Sequence, residues 1–322
     1  MSICFQHQLN YCILALMQSV KSILEVWSSG WLDVYANLAW EESLLLDEGR
    51  RDPILLFYRD SPALVIGRHQ NPWAECDPLL LAELGIPLAR RISGGGAVYH
   101  DAGNLNYALI MDRERYERDR VLGAVCRALE ALGFASDVRN TSSIYADGRK
   151  VSGSAFCFKR GRVLHHGTLL VDADLDMLAR LLEPTLAGID SHAVKSVPAE
   201  VGNLAQMRAG IDWEGCARAL SESFAQLLGV PKAVLDGGPS CPADAIAERA
   251  SELRAGDWVY GNTPSFNCPL RGLSGSELAC RFVQGALVEL RDGDPDGELL
   301  PIPESLRGAR PHELLKSGLE LF

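Results

Sequence analysis

Residues 90–107 read R-R-I-S-G-G-G-A-V-Y-H-D-A-G-N-L-N-Y. Three consecutive glycines, Gly94 to Gly96, allow positive φ and leave backbone N–H groups uncovered. A phosphate or carboxylate can approach such a turn closely, because no side chain stands in the way. Arg91 just upstream is a natural charge partner for that anion. The glycines are followed by His100, Asp101, Asn104 and Asn106, and then by the apolar run Tyr107–Met111, which has the length of a strand. No G-K-[ST] follows the triplet, so it is not a P-loop, and it lacks the G-x-G-x-x-G spacing of a dinucleotide fold. If the turn cradles a phosphate, a lysine must come from elsewhere.

Residues 147–170, D-G-R-K-V-S-G-S-A-F-C-F-K-R-G-R-V-L-H-H-G-T-L-L, supply one. Asp147-Gly148 is a hairpin signal with alternating residues on both sides. Lys150 follows the turn, beside the small residues Ser152, Gly153, Ser154 and Ala155, which leave room for a substrate next to the ammonium. A second strand after Gly161 carries His165, His166, Gly167 and Thr168.

With both blocks in view, the chain resembles the lipoate–protein ligase A and lipoyltransferase family within the biotin and lipoate ligase superfamily. The resemblance extends to N-L-A-W-E-E at 37–42, V-I-G-R-H-Q-N-P-W-A-E-C at 65–76, D-A-D-L-D-M-L at 172–178 and V-K-S-V-P-A-E-V-G-N-L at 194–204. W-V-Y-G-N-T-P-S-F at 258–266 resembles the segment that opens the small accessory domain of these ligases. The fold implied is α+β, a mixed and mostly antiparallel sheet flanked by helices with a small α+β domain appended. The domains expected are a residue 1–30 extension outside the core, a catalytic unit at 31–240 and a reduced accessory unit at 241–322.

The resemblance also implies a site. Arg91, Ser93, Gly94, Gly95, Gly96, Ala97, Val98, Tyr99 and His100 would bind ATP or lipoyl-adenylate from the first block. Lys150, Ser152, Gly153, Ser154, His166 and Thr168 would do so from the second. Gly67, Arg68 and Trp73 would approach the lipoyl tail, and the loop at 188–198 would cover the adenylate. Lipoate, ATP and Mg2+ are the implied substrate and cofactors. Lipoyl domains of 2-oxoacid dehydrogenase E2 subunits and the glycine-cleavage H protein are the implied partners. One block departs from the family: N-T-S-S-I-Y at 140–145 lacks the Asn-Asp pair that commonly precedes the lysine strand. Metal ligands are therefore unassigned, with Asp147 or a backbone group as the candidate substitute.

The chemistry follows from charge. Joining a carboxylate to the α-phosphate of ATP brings two anions together, and Lys150 can neutralise an oxygen of each. Amides of Gly95, Gly96 and Ala97 with Arg91 would hold the phosphates. Lys150 could then stabilise the oxyanion formed when the acceptor lysine attacks. His100 and His166 are candidates to orient donors or relay a proton. Three other activities share parts of this pattern. A lipoyltransferase would use preformed lipoyl-adenylate, an octanoyltransferase would need a cysteine nucleophile, and a non-catalytic lipoyl-domain binder would need no Lys150. Pro184 is followed by Thr185 rather than cysteine, and no cysteine lies between Cys126 and Cys157, which weighs against the octanoyltransferase.

Composition agrees with a globular protein of 322 residues, 47% hydrophobic and 23% charged. A net charge of −11 argues against general nucleic-acid binding. Nine cysteines without a C-x-x-C pair indicate neither a zinc ribbon nor a disulfide framework. A cytoplasm-like reducing compartment is the expected setting, with mitochondria as the alternative. The first thirty residues carry only Lys21 as a basic residue before Leu24, unlike a transit peptide, and no apolar run is long enough for a membrane span. Amphipathic helices are expected over 119–132 and 212–228, and a connector at 237–240 before a helix over 242–254. Acids near the start of the helix beginning at Asn37 are expected to favour its dipole.

Overall fold

The computed structural model describes residues 22–184, 186–235, 243–271, 276–316 and 320–321. Thr185 and the expected connector at 237–240 lie outside these residues, as do residues 1–21. Among the described residues an eight-stranded sheet forms the frame. From edge to edge its strands are Lys232–Val234, Leu24–Ser28, Ile54–Tyr58, Asn104–Asp112, Arg162–Leu170, Arg149–Lys159, Ser143–Ala146 and Ser136–Arg139. The two pairings of Leu24–Ser28 are parallel and the others antiparallel, giving the mixed, mostly antiparallel sheet expected. One boundary changes. Leu24–Ser28 belongs to this sheet, with Leu24 and Val26 buried, although the sequence places it in an extension outside the core. The apolar alternation that inserts it is too short to stand out from its flanks.

Strand alternation sends side chains to two cores. From Asn104–Asp112, Leu105, Tyr107, Leu109 and Met111 pack under the helices Arg118–Ala131 and Trp213–Leu228. Ala108 and Ile110 face the other way, towards the helices Val34–Leu46 and Ala243–Arg254. Val34–Leu46 is apolar nearly all round, as a helix enclosed on several sides must be. Its start is set by Asp33, whose carboxylate accepts from Tyr35 N–H at 2.8 Å. Glu41 and Glu42 sit mid-helix, so the expected dipole role for those acids does not hold.

A second sheet of three strands, Leu88–Arg90, Ala63–Ile66 and Val98–His100, lies on the second core's side. Its two outer strands flank Ala63–Ile66, and the Gly-rich turn connects them. Both expected hairpins are present: Asp147-Gly148 and Arg160-Gly161 adopt positive φ at both turn positions, the geometry that matches strand twist. The C-terminal part forms a third sheet from Asp190–Ser191, Phe266–Arg271, Glu277–Val283, Ala286–Asp292 and Glu320–Leu321. The expected strand character of residues 277–290 is thus a two-stranded hairpin.

Candidate active site

The Gly-rich turn and the lysine hairpin meet across one cavity of about 260 Å³. Gly95, Gly96, Ala97, Val98 and His100 line it from the first block, with Arg91 behind them. Lys150, Gly153, Ser154, His166, Gly167 and Thr168 line it from the second. Val194 to Val197 close one side, so the loop expected to cover an adenylate does reach this cavity.

Lys150 starts the Arg149–Lys159 strand, at a register shift opposite Tyr145. Its backbone is held by residues 200–202: Lys150 N–H donates to Glu200 O at 2.9 Å, and Gly202 N–H donates to Lys150 O at 3.1 Å. The side chain lies over Gly153, whose missing Cβ would stand 3.7 Å from Nζ. Burial holds the ammonium below the ordinary lysine range. Among the described residues Nζ has neither an ion pair nor a hydrogen bond, although Lys195 brings a second cation into the lining. The Ser152–Ala155 segment is regular strand rather than a flexible stretch, and Ser152 itself points away, fully buried.

Arg91 is not free to bind an anion. Nε donates to Ser93 Oγ at 3.0 Å and Gly94 O at 3.1 Å; Nη2 donates to Gly94 O at 2.6 Å and Gly96 O at 2.8 Å; Nη1 donates to Val65 O at 3.3 Å. Burial lowers its pKa to about 10. The guanidinium therefore shapes the turn from behind. Arg90 does the same for the next loop, donating to the carbonyls of Gly67, Arg68, Gln70 and Val259 and to Thr263 Oγ1. Nor is the Ala97 amide uncovered, since it donates to Ser196 Oγ at 2.9 Å. The Gly95 and Gly96 amides donate to none of the described residues.

Behind the cavity wall runs a chain of short hydrogen bonds. Tyr58 OH donates to Glu41 Oε1 at 2.9 Å, and Glu41 Oε2 meets His166 Nδ1 at 2.7 Å. His166 Nε2 meets Ser93 Oγ at 2.6 Å. Both ring nitrogens of His166 are thus engaged, which removes it from the proton-relay role expected of it. His100 differs: Nδ1 meets Asp60 Oδ2 at 2.7 Å, while Nε2 bonds to none of the described residues. Asp60 is itself fully buried and takes Asn37 Nδ2–H at 2.7 Å.

Several expected residues fall elsewhere. Tyr99 packs in the core on the far side of its strand, and Gly94 does not line the cavity. Of the residues expected at the lipoyl tail, none lines the cavity. Gly67 is pressed against the turn, with a Cβ there only 2.2 Å from Gly95 O. Arg68 stacks over Trp258. Trp73 is fully buried among Tyr260, Phe266 and His312, and its Nε1–H donates to His312 Nδ1 at 3.1 Å, so it anchors the C-terminal sheet. The apolar end of the cavity is formed instead by Leu38, Tyr58, Val65 and Val98. Sequence reading also passes over Glu41, Asp60, Asn106, Lys195 and Ser196. Glu41 carried a legible signal, because it falls on the apolar stripe between Leu38 and Leu45, where an acid is out of place. Asp60 carried none, being an aspartate in an ordinary turn.

The residues present do not suit a magnesium ion held by side chains. No aspartate or glutamate is among the described residues lining the cavity, and none of the described residues form a cluster able to hold a metal. Ser142 and Ser143 occupy the position of the Asn-Asp pair and do line the cavity. Asp147 does not replace it, since its carboxylate accepts from Ala135 N–H in the exposed hairpin. Burial raises the Cys157 thiol, the opposite of what a nucleophile requires.

A family model described as the lipoyl protein ligase A/B catalytic domain matches residues 33–225, and the chain belongs to that family. It is 39% identical over 243 residues to the mitochondrial lipoyl amidotransferase of Homo sapiens, covering 73% of this chain and 65% of that protein. It therefore spans slightly less than two thirds of that relative's length. It is 32% identical over 252 residues to lipoate-protein ligase A of Bdellovibrio bacteriovorus, covering 76% and 74%. Among solved structures, a P. falciparum protein in complex with lipoate superposes with a TM-score of 0.64 at 23% identity, covering 84% of each chain. Lipoate-protein ligase A bound with ATP superposes with a TM-score of 0.58 at 25% identity, covering 74% and 96%. The shared fold is that of the lipoate ligases.

Proposed function

We propose that this chain attaches a lipoyl group to the lysine of a lipoyl-accepting protein, through lipoyl-adenylate held in the cavity. The observation that carries this reading is the Lys150 ammonium, buried and without a partner among the described residues, facing the Gly95–Gly96 turn. The acyl chain lies along Leu38, Tyr58, Val65 and Val98, and the mixed anhydride lies between the turn and Lys150. Lys150 donates to the carbonyl and phosphoryl oxygens, where negative charge grows as the acceptor amine attacks. Val194 to Val197 exclude water from an anhydride that water would hydrolyse.

Two sources of the adenylate follow from the family. In the ligase reading the chain makes it from lipoate and ATP. In the amidotransferase reading it arrives preformed, and one observation favours this: the lining offers cations but no carboxylate for a magnesium ion. An acyl-adenylate needs no metal clamp on a leaving pyrophosphate. Purified protein is mixed with an apo-lipoyl domain and either lipoate, ATP and Mg2+ or synthetic lipoyl-adenylate, and the mass of the domain is followed. Modification from ATP supports the ligase, and modification from the adenylate alone supports the amidotransferase. No modification from either donor refutes the proposal.

A further inference from the structure

The bonds behind the cavity wall have a direction. Arg91 Nε–H can only donate, so Ser93 Oγ accepts it at 3.0 Å and must spend its own proton elsewhere. His166 Nε2 lies 2.6 Å away and accepts that proton. Its Nδ1 then carries the ring proton and donates to Glu41 Oε2 at 2.7 Å. Tyr58 supplies the last donor to the same carboxylate, since burial beside Glu41 keeps its phenol protonated. All these polar side chains are buried, and Glu41 and Ser93 do not line the cavity. At the far end, Arg91 grips the carbonyls of Gly94 and Gly96. A carboxylate on the first helix is thus connected, through one histidine and one serine, to the carbonyls that fix the Gly-rich turn.

We infer that Glu41 and Ser93 are positioning residues, which orient the Gly94–Gly96 turn for the phosphoryl group through His166 and Arg91. The assignment rests on the proposed lipoyl transfer for its kinetic readout only. Glu41 acts as an acceptor for the His166 proton, so a neutral acceptor of the same shape suffices. Because the turn holds the phosphate in ground and transition states alike, losing its orientation raises KM and leaves kcat in place.

The test uses the full chain with Glu41→Leu, Glu41→Gln, Ser93→Ala and the double variant Glu41→Leu/Ser93→Ala. Nitrogen-15 NMR of histidine-labelled protein reads the His166 tautomer, and transfer from synthetic lipoyl-adenylate reads KM and kcat. Expected are a proton on Nδ1 in the wild type and in Glu41→Gln, and a move to Nε2 in Glu41→Leu. KM should rise about tenfold in Glu41→Leu and in Ser93→Ala with kcat within about threefold, and stay within about threefold of wild type in Glu41→Gln. The double variant should be no worse than either single one, as for two links of a single chain. An unchanged tautomer in Glu41→Leu, a fall in kcat alone, or multiplying defects in the double variant overturns the inference. If Glu41→Leu fails to fold, Ser93→Ala and Glu41→Gln still decide it: Ser93→Ala must raise KM, and Glu41→Gln must keep the wild-type tautomer. A wild type inactive with every donor defeats the transfer reading, while the tautomer measurements continue to test the relay.

Discussion

Gly67→Ala should silence the site without unfolding the protein. A Cβ on residue 67 would stand 2.2 Å from Gly95 O and 3.1 Å from both Gly94 C and Gly94 O. Carbon contacts are comfortable only near 3.5 Å, so the turn must retreat by roughly 1 Å. Arg91 Nη2 holds Gly94 O at 2.6 Å and Gly96 O at 2.8 Å, and a shift of that size takes both bonds out of range. Each is a hydrogen bond from a charged group, worth about 1.5–3 kcal/mol, and part of the loss is recovered as the arginine re-orients. A net destabilisation of about 2–4 kcal/mol is the expected sum, within the range of an overpacked core position. Displacing the phosphate-facing amides by about 1 Å should lower lipoyl transfer by about 100-fold. Gly94→Ala is the internal control: it lies in the triplet itself, yet nothing stands within 4 Å of its missing Cβ and its φ is not positive. Thermal unfolding and transfer from lipoyl-adenylate, measured on both variants, check the argument. A Gly67→Ala protein as active as Gly94→Ala would refute it, since the contact with Gly95 would then carry no consequence.

Lys150→Ala should abolish transfer while leaving the melting temperature within a few degrees, because the ammonium bonds to none of the described residues. In the wild type, transfer should fall as pH rises through the lowered Lys150 pKa, earlier than for an ordinary lysine, and Lys150→Arg should move that alkaline limb upward. His165 faces the core opposite the cavity, and burial depresses its pKa to about 3. The unfolded chain binds its proton below about pH 6.5 while the native state does not, so stability is lost as pH falls, by about 2 kcal/mol at pH 5. Denaturant titrations of wild type and His165→Gln should show the acid loss shrinking by that amount. Trp73→Phe should cost about 1–2 kcal/mol through the lost bond to His312, with the KM for lipoyl-adenylate unchanged. Ser143→Asp, which places a carboxylate in the lining, should raise ATP-dependent modification relative to the adenylate-dependent reaction if metal binding is what the cavity lacks.

Much was already legible in the residues. The two D-G and R-G turns, the alternation on either side of them and the small residues beside Lys150 are local features, and local sterics decide them. The Gly-rich turn and the lysine are therefore found without a structure, as is the loop around Val194–Val197. Leu24–Ser28 was missed because a five-residue strand with parallel partners carries no hairpin signal. Its place depends on what lies beside it.

Roles were a different matter. The sequence alone determines that Arg91, Ala97, His166 and Trp73 sit in blocks of a lipoate ligase, because residue type and spacing travel with the chain. Only the tertiary structure decides which hydrogen bonds are already taken. Arg91 is occupied by carbonyls of its own turn, the Ala97 amide by Ser196, and both nitrogens of His166 by Glu41 and Ser93. Each of those partners except the turn carbonyls is about 70 residues or more away along the chain. A donor's availability is set by such neighbours, and that is why Lys150, left without one among the described residues, stands at the centre of the site.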